Sequence, residues 1–352
     1  MATVMIVCMV LTGCVSEPEP APSPEPVLSS EPVPKPEPVP ESEPVPESTP
    51  VPESAPVPEP APAETTPPAI VSDFDAVSVY VLAVGEALSV FIDDGDTEVL
   101  IDGGNDGGKL RGGGTVAEFV GGKIEDGTLE YVIATHSHAD HIGGLDEDIY
   151  GEFHVAHTIY GDKGTSKQFR EFWDAANSEE DSEVHEDIDE VLTLSGGVTL
   201  SVFDILDGDK NTNNNSVISL LDYHGEKMLI TGDAEDEKSG TVRSALADRL
   251  RADEASDIDV YVVGHHGSET SSSEELLSII KPTYAIISSV GPNHGSYNNP
   301  DISVLERLIA INAKIFATYV SGDITVTFDG DGVSLSPPDS ELITTLNYAD
   351  AA

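Results

Sequence analysis

The run of apolar and polar positions divides the chain into two unlike regions. From Ile70 onward, short stretches rich in Val and Ile, bounded by Gly and Asp turns, predict strands at Val77–Val84, Ser89–Ile92, Glu98–Ile101, Tyr131–Ala134, Phe153–Ile159 and Val198–Leu206. Ser216–Leu221, Lys227–Ile230, Asp259–Val263, Thr283–Ser288, Lys314–Ala317, Ile324–Phe328 and Val333–Leu335 read the same way. Between them, helices are expected over Val116–Val120, Lys167–Ala176, Glu237–Leu250, Ser273–Ile280 and Ile302–Ile311. Strands interleaved with helices predict a layered α/β domain over residues 70–352, and no stretch repeats internally.

The region before Ile70 has no such pattern. Val4–Leu11 is a short apolar run, far below the roughly 20 residues that span a bilayer. Leu11-Thr12-Gly13-Cys14 follows it and resembles the lipobox of prokaryotic lipoproteins, so residues 1–14 are expected to be a signal peptide ending at an acylated Cys14. The departure is that no Lys or Arg precedes Lys35; a plain cleaved signal peptide or a buried N-terminal strand are the competing readings. Residues 15–69 repeat Glu-Pro and Val-Pro without aromatic residues, a composition that cannot offset its ordering entropy by burial. An extended polyproline II stalk of roughly 160 Å is expected, or a linker whose length serves no purpose. The expected location is extracytoplasmic, with a lipid anchor on the outer face of the cytoplasmic membrane. No later run is long enough for a transmembrane helix, so a role in DNA uptake would require a separate membrane partner.

Charge narrows the function classes. The net charge is −49, with 65 Asp plus Glu against 16 Lys plus Arg. In residues 17–69, 11 Glu oppose Lys35, which accounts for −10 and leaves −39 on residues 70–352. This excludes a basic nucleic-acid-binding module but not an enzyme that holds phosphate through cations. Cys8 and Cys14 are the only cysteines, so a metal site in the folded part must be built from His, Asp and Glu. Gly103-Gly104-Asn105-Asp106-Gly107-Gly108 and Gly112-Gly113-Gly114 lack both the Gly-Lys-Ser/Thr ending and the spacing of phosphate-binding loops, and read as flexible loops.

Three strand ends carry the candidate chemistry. His136-Ser137-His138-Ala139-Asp140-His141 follows the apolar run Tyr131–Ala134. Its ligands cannot share one face of a regular element, but on a loop they can converge on two adjacent cations. Leu229-Ile230-Thr231-Gly232-Asp233 places a carboxylate after a second apolar run, and Val260–Val263 leads into His265-His266-Gly267-Ser268. Each alone is a common turn or surface feature; together they predict a binuclear metal centre.

Here the sequence resembles the metallo-β-lactamase superfamily, from about Val77 to Leu335, with His-x-His-x-Asp-His as its central motif. It is more narrowly similar to the extracellular hydrolase domain of ComEC-type DNA-uptake proteins and their free-standing relatives. The shared phrases are Val84-Gly85-Glu86-Ala87-Leu88, Leu100-Ile101-Asp102-Gly103-Gly104, His141-Ile142-Gly143-Gly144-Leu145, Asn213-Asn214-Asn215-Ser216 and His265-His266-Gly267-Ser268. Choline-phosphate esterases of the superfamily share the phrase order. The resemblance implies a four-layer αββα sandwich holding two divalent ions, Zn or alternatively Mn. His136 and His138 would bind the first ion and Asp140 and His141 the second, with Asp233 bridging and either His265 or His266 completing the second site. Many members add a further first-site histidine; the corresponding stretch, Asn211–Ser216, has none, as in the ComEC-like branch. His154, His157, His185 and His224 read as surface or core residues. Relatives often carry Tyr-Gly-His-Pro near the C-terminus, where this chain has Tyr297-Asn298-Asn299-Pro300, which puts Asn299 where a phosphate-contacting His is expected and leaves His294 as a local substitute.

Two cations about 3.5–4 Å apart can share an activated hydroxide and clamp the oxygens around a displacement. Asp140 could also orient the nucleophile. Ser268, Asn299, His294 and the unligated member of the His265–His266 pair are candidates to contact the scissile group or protonate its leaving oxygen. The leading expectation is a metal-dependent hydrolase of phosphodiesters, DNA among them and favoured at high salt, where repulsion is screened. Other esters, phosphocholine esters or lactams are the rival substrates; a non-catalytic surface module stabilised by metal is the rival class.

Overall fold

The computed structural model describes residues 76–336, apart from positions 162, 187, 207, 254 and 293, together with Ile343. The expected signal peptide, Cys14 and the stalk 15–69 lie outside the described residues, as do the first residues of the expected hydrolase domain.

The chain first builds most of one sheet, with β1 (Val77–Val81), β2 (Val90–Asp93), β3 (Glu98–Ile101), β4 (Thr128–Ala134), β5 (His154–Tyr160) and β6 (Glu183–Glu186). It then lays down a second sheet from β7 (Asp189–Thr193), β8 (Thr199–Asp204), β9 (Val217–Tyr223), β10 (Glu226–Ile230), β11 (Val260–Val262), β12 (Tyr284–Ile287) and β13 (Lys314–Ala317). The last strands, β14 (Ile324–Phe328) and β15 (Val333–Ser336), return to the first sheet and pair beside β1. The two sheets repeat one plan. In the first, β14-β1-β2-β3 pair antiparallel and β3-β4-β5-β6 parallel; in the second, β7-β8-β9-β10 pair antiparallel and β10-β11-β12-β13 parallel.

Helices α1 (Val116–Gly121), α3 (Lys167–Ser178), α4 (Gly240–Ala252), α5 (Glu274–Ile280) and α6 (Ile302–Ala310) cover the outer faces, and the single turns α2 (Ala139–Ile142) and α7 (Thr318–Ser321) follow β4 and β13. Starts are set by side chains that accept otherwise orphaned N–H groups: Ser166 for α3, Ser239 for α4, Ser273 for α5 and Asp301 for α6, with a reciprocal Thr115–Glu118 box for α1. Three apolar clusters result. One lies between the sheets (Val79, Ile133, Val202, Ile230), one joins the second sheet to α4–α6 (Leu246, Tyr261, Leu305), and one joins the first sheet to α1 and α3 (Phe91, Val120, Phe172). This is the expected αββα sandwich. Among the described residues, no helix is long and apolar enough to cross a membrane.

Among the differences from the expectation, two have a clear physical cause. The first strand ends at Val81 rather than Val84, because Leu82 donates to Ser89 O and the chain turns through Gly85 at φ +86°. The polar stretches Glu183–Glu186 and Asp189–Thr193 are strands although their composition does not announce it: each is the edge of a sheet, where one neighbour and an exposed face suffice.

Candidate metal centre

The C-terminal ends of β3, β4, β10 and β11 meet at one rim of the sandwich. After Ala134 the backbone leaves β4, and His138 stands at the start of α2, whose helical turn carries Asp140 and His141. The change from extended to helical backbone lets four ligands within six residues converge. The turn packs tightly, with Gly103 N–H donating to His141 O at 2.7 Å and Gly144 N–H to Gly104 O at 3.1 Å. A side chain on Gly144 would collide with the Gly103 carbonyl, which accounts for glycine there.

Asp233 reaches the same point from β10. Its N–H donates to Ser216 Oγ at 3.0 Å, and the preceding Gly232 adopts φ +51°, where a Cβ would press on Ser216 and Thr135. His265 and His266 follow β11 in two consecutive left-handed conformations, φ +50° and +54°, a strained arrangement for non-glycine residues. His265 N–H donates to Gly232 O at 3.0 Å, while Asp236 accepts the N–H groups of Ser272 and Ser273 at 2.7 and 2.8 Å and anchors the downstream loop.

The ligand atoms form two groups on the two oxygens of Asp233. Around Oδ1 stand His141 Nε2 at 3.3 Å and His266 Nε2 at 3.7 Å, and Asp140 Oδ2 lies 3.6 Å from that same His266 nitrogen. Around Oδ2 stand His136 Nε2 at 3.8 Å and His265 Nε2 at 3.7 Å, with His138 Nδ1 3.0 Å from His136 Nε2. Asp140, His141, Asp233 and His266, and separately His136, His138 and Asp233, each offer ligand atoms within 4.8 Å of one another. His141 Nε2, His266 Nε2 and Asp233 Oδ1 are buried and have no hydrogen-bond partner among the described residues. Leaving three such groups unpaired at one point is costly unless something else occupies it. A set of imidazoles and carboxylates with its lone pairs aimed inward fits a divalent cation of the zinc class.

The charges of the ion-free pocket agree with this. Burial alone would lower His141, but the Asp233 and Asp102 carboxylates outweigh it and hold His141 well above the usual imidazole range. Burial opposes charge on His266 too, yet Asp233 and Asp140 raise it. Asp233 is held well below the carboxylate range against its own burial by His141 and His266, and Asp140 is lowered against burial by His266. His136 is pushed well down by burial and by His141, and His265 is lowered by burial. Imidazoles and carboxylates thus favour each other's charged forms at the point where cations would stand.

A cleft of about 440 Å³ opens over the centre, lined by His138, Asp140, Asn213, His266, Tyr297 and Asn299 among others. Asn299 is thus brought to the centre. Ser268 does not line the cleft; its hydroxyl is 3.1 Å from Thr270 Oγ1. His294 lines a separate cavity with Lys109, Arg111 and Ser289. Three contributors stand in the phrases quoted from the sequence, which by itself gives them no role. Asp102 lies 2.6 Å from His141 Nδ1, Asn213 Nδ2 is 3.4 Å from His265 Nε2, and Tyr297 stands at the mouth, 69% exposed. The available signal for Asp102 is an Asp at the end of an apolar strand before glycines, a carboxylate at a strand end like Asp233.

A family model described as Metallo-beta-lactamase superfamily matches residues 82–291. Recombination protein 2 of Haemophilus influenzae is 30% identical over 256 residues, covering 72% of this chain and 29% of that protein. ComE operon protein 3 of Bacillus subtilis is 27% identical over 228 residues, covering 62% of this chain and 27% of that protein. The chain therefore spans less than a third of the length of these relatives. Among solved structures, the metallo-beta-lactamase fold protein YhfI from Bacillus subtilis aligns with TM-score 0.44 at 11% identity, over 68% of this chain and 96% of that one.

Proposed function

The chain belongs to the metallo-β-lactamase superfamily, and from that premise we propose that it is an extracytoplasmic, metal-dependent hydrolase of phosphodiesters, with DNA among its substrates. The observation that carries the reading is the meeting of His141 Nε2, His266 Nε2 and Asp233 Oδ1, all buried and unpartnered, beneath an open cleft. Similarity to a protein named for recombination favours phosphodiesters over lactams.

Asp140, His141, Asp233 and His266 would hold one ion; His136, His138 and Asp233 would hold the other. His266 rather than His265 then completes the second site, because its nitrogen faces Asp233 Oδ1 and Asp140. His265 stands on the opposite side, facing the oxygen that His136 faces. Bound there, two divalent cations supply Lewis acidity and an activated water. Asp233 aligns the two ligand sets. Asp140 orients the attacking water with its free oxygen, and Asn299 and Tyr297 at the mouth contact the scissile group and its leaving oxygen. Extracytoplasmic placement and anchoring through Cys14 complete the proposal and rest on the sequence of residues 1–14.

Cleavage of a bis-aryl phosphate, single-stranded DNA and nitrocefin by the purified chain loaded with Zn or Mn tests this. Phosphodiester cleavage lost in His138→Ala/Asp233→Asn is expected. Lactam cleavage without phosphodiesterase activity would overturn the reading.

A further inference from the structure

The first sheet carries another group of metal-ligating side chains, away from the rim. Parallel pairing of β4, β5 and β6 sets Tyr131 beside His157 and His157 beside Glu183, and it sets Ile159 beside His185. Because alternate residues of a strand share a face, Tyr131, His157, Glu183 and His185 lie on one face at the open edge of the sheet. From the sequence, His157 and His185 read as separate surface or core residues; the structure brings them together.

Three atoms form a single triangle. His157 Nδ1 is 3.4 Å from His185 Nε2, His157 Nδ1 is 3.8 Å from Glu183 Oε2, and His185 Nε2 is 3.7 Å from Glu183 Oε2. A tetrahedral zinc ion with ligand bonds of about 2.0–2.1 Å places its ligand atoms roughly 3.4 Å apart. The observed edges match this to within a few tenths of an ångström. One N–H shared between the imidazoles satisfies one edge and leaves the carboxylate 3.7–3.8 Å away, too far for a hydrogen bond. A cation seated over the triangle would engage all three lone pairs at once. The Tyr131 ring stacks on His157 with centroids 5.0 Å apart and planes 20° apart, which fixes the orientation of that imidazole.

We propose that His157, Glu183 and His185 form a second, separate site for a borderline divalent cation of the zinc class. Two imidazoles and one carboxylate disfavour Ca and Mg. Three protein ligands leave the fourth position to solvent, since both His side chains are about a third exposed and Glu183 more so. The site is not an extension of the central one: His157 lies three residues before Tyr160, the partner of Ala134 at the rim, which is roughly 10 Å of strand. Its role is to fasten edge strand β6 to β5 just before the chain crosses to the second sheet.

The test uses the full chain carrying His138→Ala/Asp233→Asn, which empties the central site, loaded with Zn and passed through gel filtration before metal analysis. One retained equivalent is expected, lost when His157→Ala/His185→Ala is added, and accompanied by a Zn-dependent rise in melting temperature that is lost with it. Glu183→Gln, at an exposed position, tests the same point if the histidine variant does not fold, and loss of the ion is again expected. Retention of no zinc, or of zinc that survives these substitutions, overturns the proposal. An otherwise native chain that binds one equivalent, removed by His157→Ala/His185→Ala, would sink the central reading and leave this one standing.

Discussion

Oδ2 of Asp102 lies 2.6 Å from Nδ1 of His141, and both side chains are fully buried. The same carboxylate accepts the Thr135 N–H at 2.8 Å and the Thr135 hydroxyl at 2.7 Å, so it cannot turn away. With an ion bound, it would keep the His141 proton on Nδ1 and leave the Nε2 lone pair to the ion. Asp102→Asn is expected to lower affinity for the ion on that side by about 10–100-fold, with little change in fold. Competition against a chelating dye measures it; unchanged affinity would remove Asp102 from the centre.

The partition of ligands between the two oxygens of Asp233 separates His265 from His266. His266→Ala is expected to release one equivalent of metal and to reduce turnover by more than the about 10–100-fold typical of an outer partner. His265→Ala should weaken the ion on the His136 side instead. Metal analysis of both variants decides, and equal loss from the same site in each would refute the partition.

The −39 carried by residues 70–352 repels a polyanion. At molar salt the Debye length is about 3 Å, so the repulsion vanishes while the short-range centre is preserved. The kcat/KM for single-stranded DNA should therefore rise with NaCl toward 1 M, and that for a small mono-anionic diester should change little. A fall with salt for DNA, as shown by proteins that release counterions from a cationic face, contradicts this.

Glu98 gives a pH-dependent contribution to stability, remote from the centre. Burial, together with its neighbour Glu130, raises it from the ordinary 4.5 to about 8. With the folded value raised, the contribution is fully present below pH 4.5 and is lost as pH rises through 8. Glu98→Gln should match the native chain near pH 4.5 and melt roughly 2–4 °C higher at pH 9, a modest gain because solvent screens this partly exposed pair. Thermal melts at the two pH values test it; a pH-independent difference would dismiss Glu98 as the source.

Some parts of this molecule are more legible in the sequence than others. His136, His138, Asp140 and His141 stand out because four metal-ligating side chains within six residues seldom occur together by chance, and β3, β13 and β14 can be read to the residue from their apolar runs. Asp102 does not stand out, since an Asp before glycines is an ordinary turn residue. Nor does Glu183–Glu186, whose strand state comes from pairing with β5 rather than from composition. The common plan of the two sheets leaves no trace as a sequence repeat, because hydrogen-bond topology can be kept by many apolar sequences.

That common plan governs how the molecule can open. His136, His138, Asp140 and His141 hang from the first sheet, whereas Asp233, His265 and His266 hang from the second, and the layer between the sheets is apolar. Sliding one sheet over the other shears this apolar layer and a few hydrogen bonds, such as Ser195 Oγ–H to Asp94 Oδ1 and Val217 N–H to Thr135 O, but at the centre it must also separate groups drawn to common ions. Bound cations would make the rim the last part of the inter-sheet seam to breathe, and stripping them would turn it into the place where amide exchange between the layers begins.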